Sequence, residues 1–596
     1  MKKAMRLLAM LLACAMVFTA CSSAPASSES TESTESTVTE TTEKVLNLVR
    51  TNTPETLNPH TTATDYELLL DISASMYRTC WDVENGVRIY VPALAKGEPV
   101  PADDTYKVWT VEIDKGYTFV DGTPIDAHTI EYSIKMNSDP KLANRNAGVT
   151  SIMNGTKYIA GECEWSEVGF KAIDDYTIQV TYADDMEPDS ANSFKSEWAY
   201  VGNAVVHIDT YEACMSEDGM SCTYGTSLDT FVASGLYEPT DLIEGQYFEI
   251  TRRTDNEKLV NADIFTPDKV TYTAVSDANA QVQLFEQGKI DAVVANQAQY
   301  DEYPGAKYQL RADNMGYYIN GETPSHPILT DPNMRWALYW GTNRQEVIDM
   351  VYPTSIASPY QYHIMSVVPN PANPDENIDY RSTPEAQAIR IDGHPLTETG
   401  YDPELALDYF NKAYAPYEGE KIVVTAIYSD SSDISKEYAE VLQAQIHATF
   451  PTDKFEVELQ ACPAATIYTE ISRAVMNFDL CFGCGDYCSV ETPWTDTNWV
   501  YSGPYTYNTQ YCSIASQAYR DEFDKLAYGC MLYEAKRDAQ LKLEYTARME
   551  EIRLNDCCFI PVYNRAYRWF FSDKITPVME QGHVDLEFCL MQATFN

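Results

Sequence analysis

Cys481, Cys484 and Cys488 stand in C-x2-C-x3-C spacing, a pattern from which thiolates can hold zinc or an iron–sulfur cluster. Such a site needs a fourth ligand close by, and Cys462 is the only nearby candidate. The spacing therefore reads better as disulfides or tolerated buried thiols, and no metal is expected. In the same stretch, Cys484-Gly485-Asp486-Tyr487 follows an apolar run expected to be a strand over 478–482. Ala295-Asn296 likewise follows the apolar run Ile290 to Val294. Ligands of open α/β sheets settle outside the carboxyl ends of strands, so both stretches are candidate ligand contacts. The plainer alternatives are a cap or Asx turn for Asp486 and a core position for Tyr487. Arg565, just after Pro561-Val562-Tyr563, has a guanidinium that can grip a carboxylate bidentately, although a surface salt bridge is its plainer role.

Catalysis has no comparable signature. None of the 8 histidines sits in an H-E-x-x-H pair, and G-x-S-x-G, P-loop and G-x-G-x-x-G motifs are missing. No catalytic residue and no cofactor is expected. A secreted hydrolase stays open as an alternative, because catalytic carboxylates can be far apart in sequence.

The elements that must position the candidates read as α/β. Ile422 to Tyr428 is a β-branched strand, and Ser435 to Phe450 places Tyr438, Val441, Leu442 and Ile446 on one helical face. Phe455, Val457 and Leu459 then alternate with Glu456 and Glu458, completing a βαβ unit with a right-handed crossover. Asp402-Pro403 starts a helix that buries Leu405, Tyr409, Phe410 and Ala413, and long helical patterning recurs from about Tyr519 to Leu554. Nearer the N-terminus, Trp109 to Ile113 and Ile178 to Tyr182 read as strands. Between them, Asp121-Gly122-Thr123-Pro124 reads as a turn and Asp126 as the start of a helix over 127–136.

Location is written in the first 44 residues. Lys2, Lys3 and Arg6 precede an apolar run from Leu7 to Val17, too short for a ~20-residue membrane span. Phe18-Thr19-Ala20-Cys21 resembles the bacterial lipoprotein processing site, which implies lipidation of Cys21. Residues 22–44 are almost all Ser, Thr, Glu, Ala and Val, a composition with nothing to bury, and read as a disordered tether. The expected location is the outer face of the cell membrane, held by acyl chains, or the periplasm.

The remaining chain exceeds what one core serves, so two or more lobes are expected. The formal net charge is −47, from 89 acidic and 42 basic residues, which argues against nucleic-acid partners and against docking on anionic lipid. Of the 15 cysteines, Cys14 would leave with the signal and Cys21 would carry lipid. An odd number is left, so at least one thiol is unpaired or bonded between molecules. Cys557-Cys558, being adjacent, would bridge each other only with strain.

Several motifs in chain order then resemble one family. Leu57-Asn58-Pro59-His60 comes first, then Trp109-Thr110 with Phe119-x-Asp121-Gly122-Thr123-Pro124-x-x-Ala127, and then Val168 to Thr177. Ser234-Gly235-Leu236-Tyr237, Gly288-Lys289-Ile290-Asp291, Arg335-Trp336-Ala337-Leu338 and Asn343-Arg344-Gln345-Glu346 follow. Cys484-Gly485-Asp486-Tyr487 and Ile560-Pro561-Val562-Tyr563 close the series. The chain resembles the extracellular oligopeptide- and dipeptide-binding proteins of ABC importers, solute-binding family 5. The resemblance implies a two-lobed periplasmic-binding-protein-like α/β fold of the peptide-binder type, with an extra subdomain inserted in the first lobe.

In segments, it implies a signal peptide over 1–20, a lipidated tether over 21–44 and a first lobe over 45–305 with the insertion at about 79–199. A second lobe over 306–559 and a return to the first over 560–596 complete it. It further implies a monomer that closes on a peptide and docks on permease subunits, while a separate subunit hydrolyses ATP. Asp486 would pair with the ligand's amino terminus, backbone beside it would hold the peptide as an added strand, and Asn296 and Arg565 are further candidate contacts. The segment 480–493 departs from the family in lacking its tryptophan and Asp-Pro. Sugars, metal chelates and amines therefore stay as alternative ligands, and a receptor or adhesin without transport stays as an alternative role.

Overall fold

The computed structural model describes residues 43–84, 87–184, 186–259, 264–294, 306–430, 433–464, 466–487, 489–495, 514–579 and 587–596, with backbone alone for Val87, Asp375, Asp486, Tyr487, Glu587 and Phe588. Local signals set most elements. Asp402 caps the helix Pro403–Tyr414 by accepting from the Leu405 amide at 2.9 Å, and proline at the first helical position lacks the amide that would go unpaired there. Asp126 caps Ala127–Asn137 through a reciprocal box with Thr129. Gly122, with φ of +88°, makes the preceding turn. The strands Ile422–Ser429 and Phe455–Cys462 pair in parallel through the helix Asp433–Thr449, as the alternation of the sequence predicts.

The helical patterning expected over 519–554 resolves into two helices, Gln517–Met531 and Ala539–Asp556. Interleaved charges make the pattern look continuous, but Asp538 accepts from the Leu541 amide at 2.9 Å and starts a new helix. The helices then pack closely at Gly529, where a Cβ would sit 2.6 Å from the Tyr545 ring.

Lys44–Asn596 form one compact unit, divided into two lobes around separate cores. In the first lobe, the strands Val45–Arg50, Lys269–Ala274, Tyr247–Arg252 and Tyr237–Ile243 form a four-stranded sheet in that order. Its core runs from Leu46 and Leu48 to Leu590 and Met591. An inserted subdomain carries a second four-stranded sheet and its own core, including Trp109, Phe170, Phe194 and Trp198. The second lobe is built on a seven-stranded sheet, whose core takes in Tyr317, Trp340, Tyr438 and Phe559.

Two long strands join the lobes. Lys307–Ile319 and Phe559–Phe571 pair antiparallel, with Lys307–Leu310 against Trp569–Ala566 and Asn314–Tyr318 against Asn564–Phe559. Phe570 sits in a small core beside the first lobe, whereas Phe559, Ile560 and Val562 belong to the second. The register shifts between Leu310 and Asn314, where the paired strands pass from one lobe to the other.

A second contact joins the lobes through charge. Lys542 Nζ lies 3.1 Å from Asp189 and 4.7 Å from the Trp494 ring centre, and Lys536 Nζ lies 3.5 Å from Glu187. Arg537 donates to the Asp104 and Thr105 carbonyls at 3.1 and 2.8 Å. Burial alone would raise the Asp189 pKa, but Lys542 and the Ser190 and Ser193 hydroxyls outweigh it and hold the carboxyl below its ordinary value. Lys542 is only 3% exposed, so stripping its partner leaves a buried charge. Asp189→Ala should cost roughly 3 kcal/mol in chemical denaturation, and adding Lys542→Met should recover at least half of that loss.

Two histidines are buried as neutral rings. Burial lowers the His60 pKa to about 3 and that of His363 to about 4. In the unfolded chain both bind a proton near pH 6.5, so their contribution to stability is complete above that pH and is lost as pH falls towards 4 and then 3. The thermal midpoint should therefore drop across pH 6.5 to 4, and His60→Asn or His363→Asn should each make that slope shallower.

Candidate functional site

The candidate segment lies within a strand. Hydrophobicity ends at Phe482, but the strand runs from Leu480 to Tyr487, so Cys484–Tyr487 is part of the sheet rather than a loop past its carboxyl end. On one side the strand pairs with Lys307–Ile319 along its length, Asp486 opposite Asn314 and Tyr487 opposite Asp313. On the other side, Ala426, Ile427 and Tyr428 pair only with Leu480, Cys481 and Phe482. From Gly483 onward the second edge carries no strand among the described residues.

The neighbouring strand Ile422–Ser429 ends one residue past that last pair, and a bulge sits at the same point. Phe482 pairs with Tyr317 and Cys484 with Gly316, which leaves Gly483 as the extra residue. Its φ of +77° is a conformation glycine adopts without steric penalty, and such bulges bend a strand and increase its twist. The Tyr438 hydroxyl donates to the Gly316 carbonyl at 3.2 Å, and Tyr438 carbon atoms would lie 3.5 Å or more from a Cβ at Gly483. At Gly485 the two strands approach so closely that a Cβ would sit 2.7 Å from the Asn314 carbonyl oxygen.

Beneath this edge is a buried polar network. Asn314 Nδ2 donates to the Tyr360 and Gln361 carbonyls at 2.9 and 2.8 Å, and Gln361 Nε2 donates to the Phe559 carbonyl at 2.8 Å. Asn564 Oδ1 accepts from the Ile364 amide at 3.2 Å. The loop over 358–366 is thereby pinned to the sheet, since each bond lost would leave a buried polar group unsatisfied. Beside it, Asp313 accepts from Arg565 Nε at 3.0 Å and Nη2 at 2.7 Å, and lies 2.8 Å from Arg311 Nε. Burial would disfavour the charged Arg565, but Asp313 more than compensates and its pKa lies above the ordinary value. Two cations share one carboxylate where the crossing strands change register.

The sequence-predicted residues therefore fall into three groups. Gly485, Cys484 and Arg565 lie in one sheet, on the two strands that flank Lys307–Ile319, together with the backbone of Asp486 and Tyr487, whose side chains lie outside the described atoms. Cys484 is buried and Arg565 is engaged by Asp313. Ala295 and Asn296 lie outside the described residues, as do Cys21 and Cys488; the strand before the first pair is Ala292–Val294. Sequence reasoning missed Asp313, Arg311 and the bulge. An isolated glycine in an apolar strand could have signalled the bulge. Nothing local links Asp313 to a partner 252 positions away.

Residues 90–483 match the family model described as bacterial extracellular solute-binding proteins, family 5 middle. Among curated relatives, the dipeptide-binding protein DppE of Bacillus subtilis is 23% identical over 261 residues, 44% of this chain and 45% of its own length. The periplasmic oligopeptide-binding protein OppA of Salmonella typhimurium is 24% identical over 287 residues, 45% of this chain and 49% of its own length. The chain thus spans about half the length of the curated relatives it matches. Solved structures agree in fold. The unliganded open form of the murein tripeptide-binding protein MppA superposes with a TM-score of 0.67 at 15% identity, over 93% of this chain and 97% of that one. OppA of Listeria monocytogenes bound to peptide gives 0.63 at 19%, over 93% and 99%. With the family model matching well over half of its length, the chain belongs to the family 5 bacterial extracellular solute-binding proteins.

Proposed function

We propose that this chain captures peptides outside the cell and hands them unaltered to the permease of an ABC importer. The observation that carries the reading is the Cys484–Tyr487 edge, which continues past the Gly483 bulge beyond the end of its neighbour Ile422–Ser429 and carries no strand there among the described residues. An extended peptide can add to such an edge as a further strand, its main chain supplying affinity and pockets for alternate side chains supplying specificity. The peptide-bound Listeria relative and the peptide-binding names of the others support the same ligand class. Asp486 is the partner for the ligand's ammonium group, a charge-assisted bond. Tyr487, Ala295, Asn296 and Arg565 are the further candidate ligand contacts.

We place the lobes at 45–305, with the insertion at about 79–199, and 306–559, the return to the first lobe over 560–596 being completed within the strand Phe559–Phe571, whose Ile560 and Val562 still pack in the second core. Closure about the crossing strands separates loaded from empty states. Cys21 carries the lipid that keeps a monomeric binder beside its transporter.

Thermal-shift screening against peptides, sugars, metal chelates and amines tests the ligand class. A peptide at about 100 times its dissociation constant should add ~2.7 kcal/mol. The bound peptide should be recovered intact by mass spectrometry, whereas turnover would establish a hydrolase instead. Asp486→Ala should weaken a peptide with a free amino terminus by about 10- to 100-fold, the range of a hydrogen bond to a charged group, and leave an N-acetylated peptide unaffected. Cys21→Ser should move the protein from the membrane fraction to the medium or periplasm and abolish incorporation of labelled fatty acid.

A further inference from the structure

We infer that Cys481 and Cys484 form a disulfide across the Gly483 bulge, a covalent clasp on the strand that carries the candidate ligand edge. In a regular strand, residues three apart point to opposite faces. Here Gly483 is an extra residue, so Cys481 pairs with Tyr318 and Cys484 with Gly316, two positions apart on one partner strand and hence on one face. Their sulfur atoms lie 3.0 Å apart, about 1 Å beyond a bonded pair at ~2.05 Å. The glycine, with its φ of +77°, is the residue that brings the thiols together.

The surroundings set when the bond forms. Cys481 and Cys484 are 0% and 1% exposed, and burial raises the Cys481 thiol well above its ordinary pKa. The folded protein therefore offers little thiolate to an oxidant, and the exchange belongs to folding, before the sheet closes. The oxidant is a disulfide of the extracytoplasmic space, either a small molecule or a carrier protein. One cysteine thiolate attacks that disulfide, forming a mixed disulfide and releasing one thiol. The second cysteine thiolate then displaces the other thiol and closes the Cys481–Cys484 bond. One S–S bond is exchanged for another, and the two cysteine protons end on the released thiols. The closed loop is very short, so little of the effect lies in the unfolded-state entropy. What the clasp fixes is the bend at the bulge, and with it the direction in which Cys484–Tyr487 continues along the sheet.

The compartment rests on the extracellular reading above, but the chemistry can be tested without it. The full chain is refolded in a glutathione redox buffer, denatured, alkylated and mapped by mass spectrometry. The expected result is a peptide containing Cys481 and Cys484 that is lighter by two hydrogens and takes up no label, while a reduced control takes up two. The bond should persist in Cys462→Ser and be absent from Cys484→Ser. Full alkylation of both cysteines after oxidative refolding, or a link from either to Cys462 or Cys488, would overturn the inference. Peptide binding by the reduced protein is read separately, so losing the bond and losing the ligand class are distinguishable.

Discussion

The pairing of Lys307–Ile319 with Phe559–Phe571 is the interaction on which the rest of the structure depends. Each strand spends one half beside the first lobe and the other in the second, so their ladder is both a piece of sheet and the connection between cores. A perfect ladder would make that connection stiff. The register shift interrupts the hydrogen bonds over 311–313, and charge takes their place, with Arg311 and Arg565 on either side of Asp313. An ion pair tolerates a change of angle better than a backbone ladder does, because it has less directional demand than a row of N–H···O bonds. The connection is thus a hydrogen-bonded ladder along the strands and an ion-pair cluster where they change register.

The same ladder sets the candidate site. Lys307–Ile319 lies between Phe559–Phe571 and Leu480–Tyr487, so any rotation at the register shift is passed directly to the neighbouring strand that carries Asp486. Asn314 is paired to Asp486 on one side and to Asn564 on the other, and its buried side chain holds the loop over 358–366. The two bonds donated by Asn314 Nδ2 tie this loop to the strand that faces Asp486.

Much of this architecture was legible from local pattern. The βαβ unit over 422–462 and the caps at Asp126 and Asp402 follow from alternation, helical periodicity and capping chemistry, all decided within a few residues. The misses share a physical origin. The strand expected to end at Phe482 continues to Tyr487 because its extension depends on pairing with 313–316, and nothing in Cys484-Gly485-Asp486-Tyr487 itself looks like a strand. The helical patterning over 519–554 does not by itself mark where one helix ends and the next begins; the cap at Asp538 sets that boundary. The Asp313–Arg565 pair joins segments whose meeting is set by the whole topology. Arg565 could be read as a carboxylate partner from its chemistry, but whether that carboxylate belongs to the chain or to a ligand was beyond local reading.

Charge closes the account of how the lobes meet. With 89 acidic and 42 basic residues, random contacts between two parts of this chain would be repulsive on average. The inserted subdomain meets the second lobe where Lys536, Arg537 and Lys542 face Glu187 and Asp189, so scarce cations are set against acidic partners at this contact. Arg537 adds two backbone carbonyls and lies 4.6 Å from the Tyr106 ring centre, interactions that use its planar guanidinium where an ammonium would serve less well. Burial pulls the Lys536 pKa down while Glu187 opposes it, so this contact works against desolvation as well as against the net charge. An attraction of that kind acts over a short range and fades once water enters between the partners. It therefore holds the inserted subdomain against the second lobe once they have met, without drawing them together from a distance.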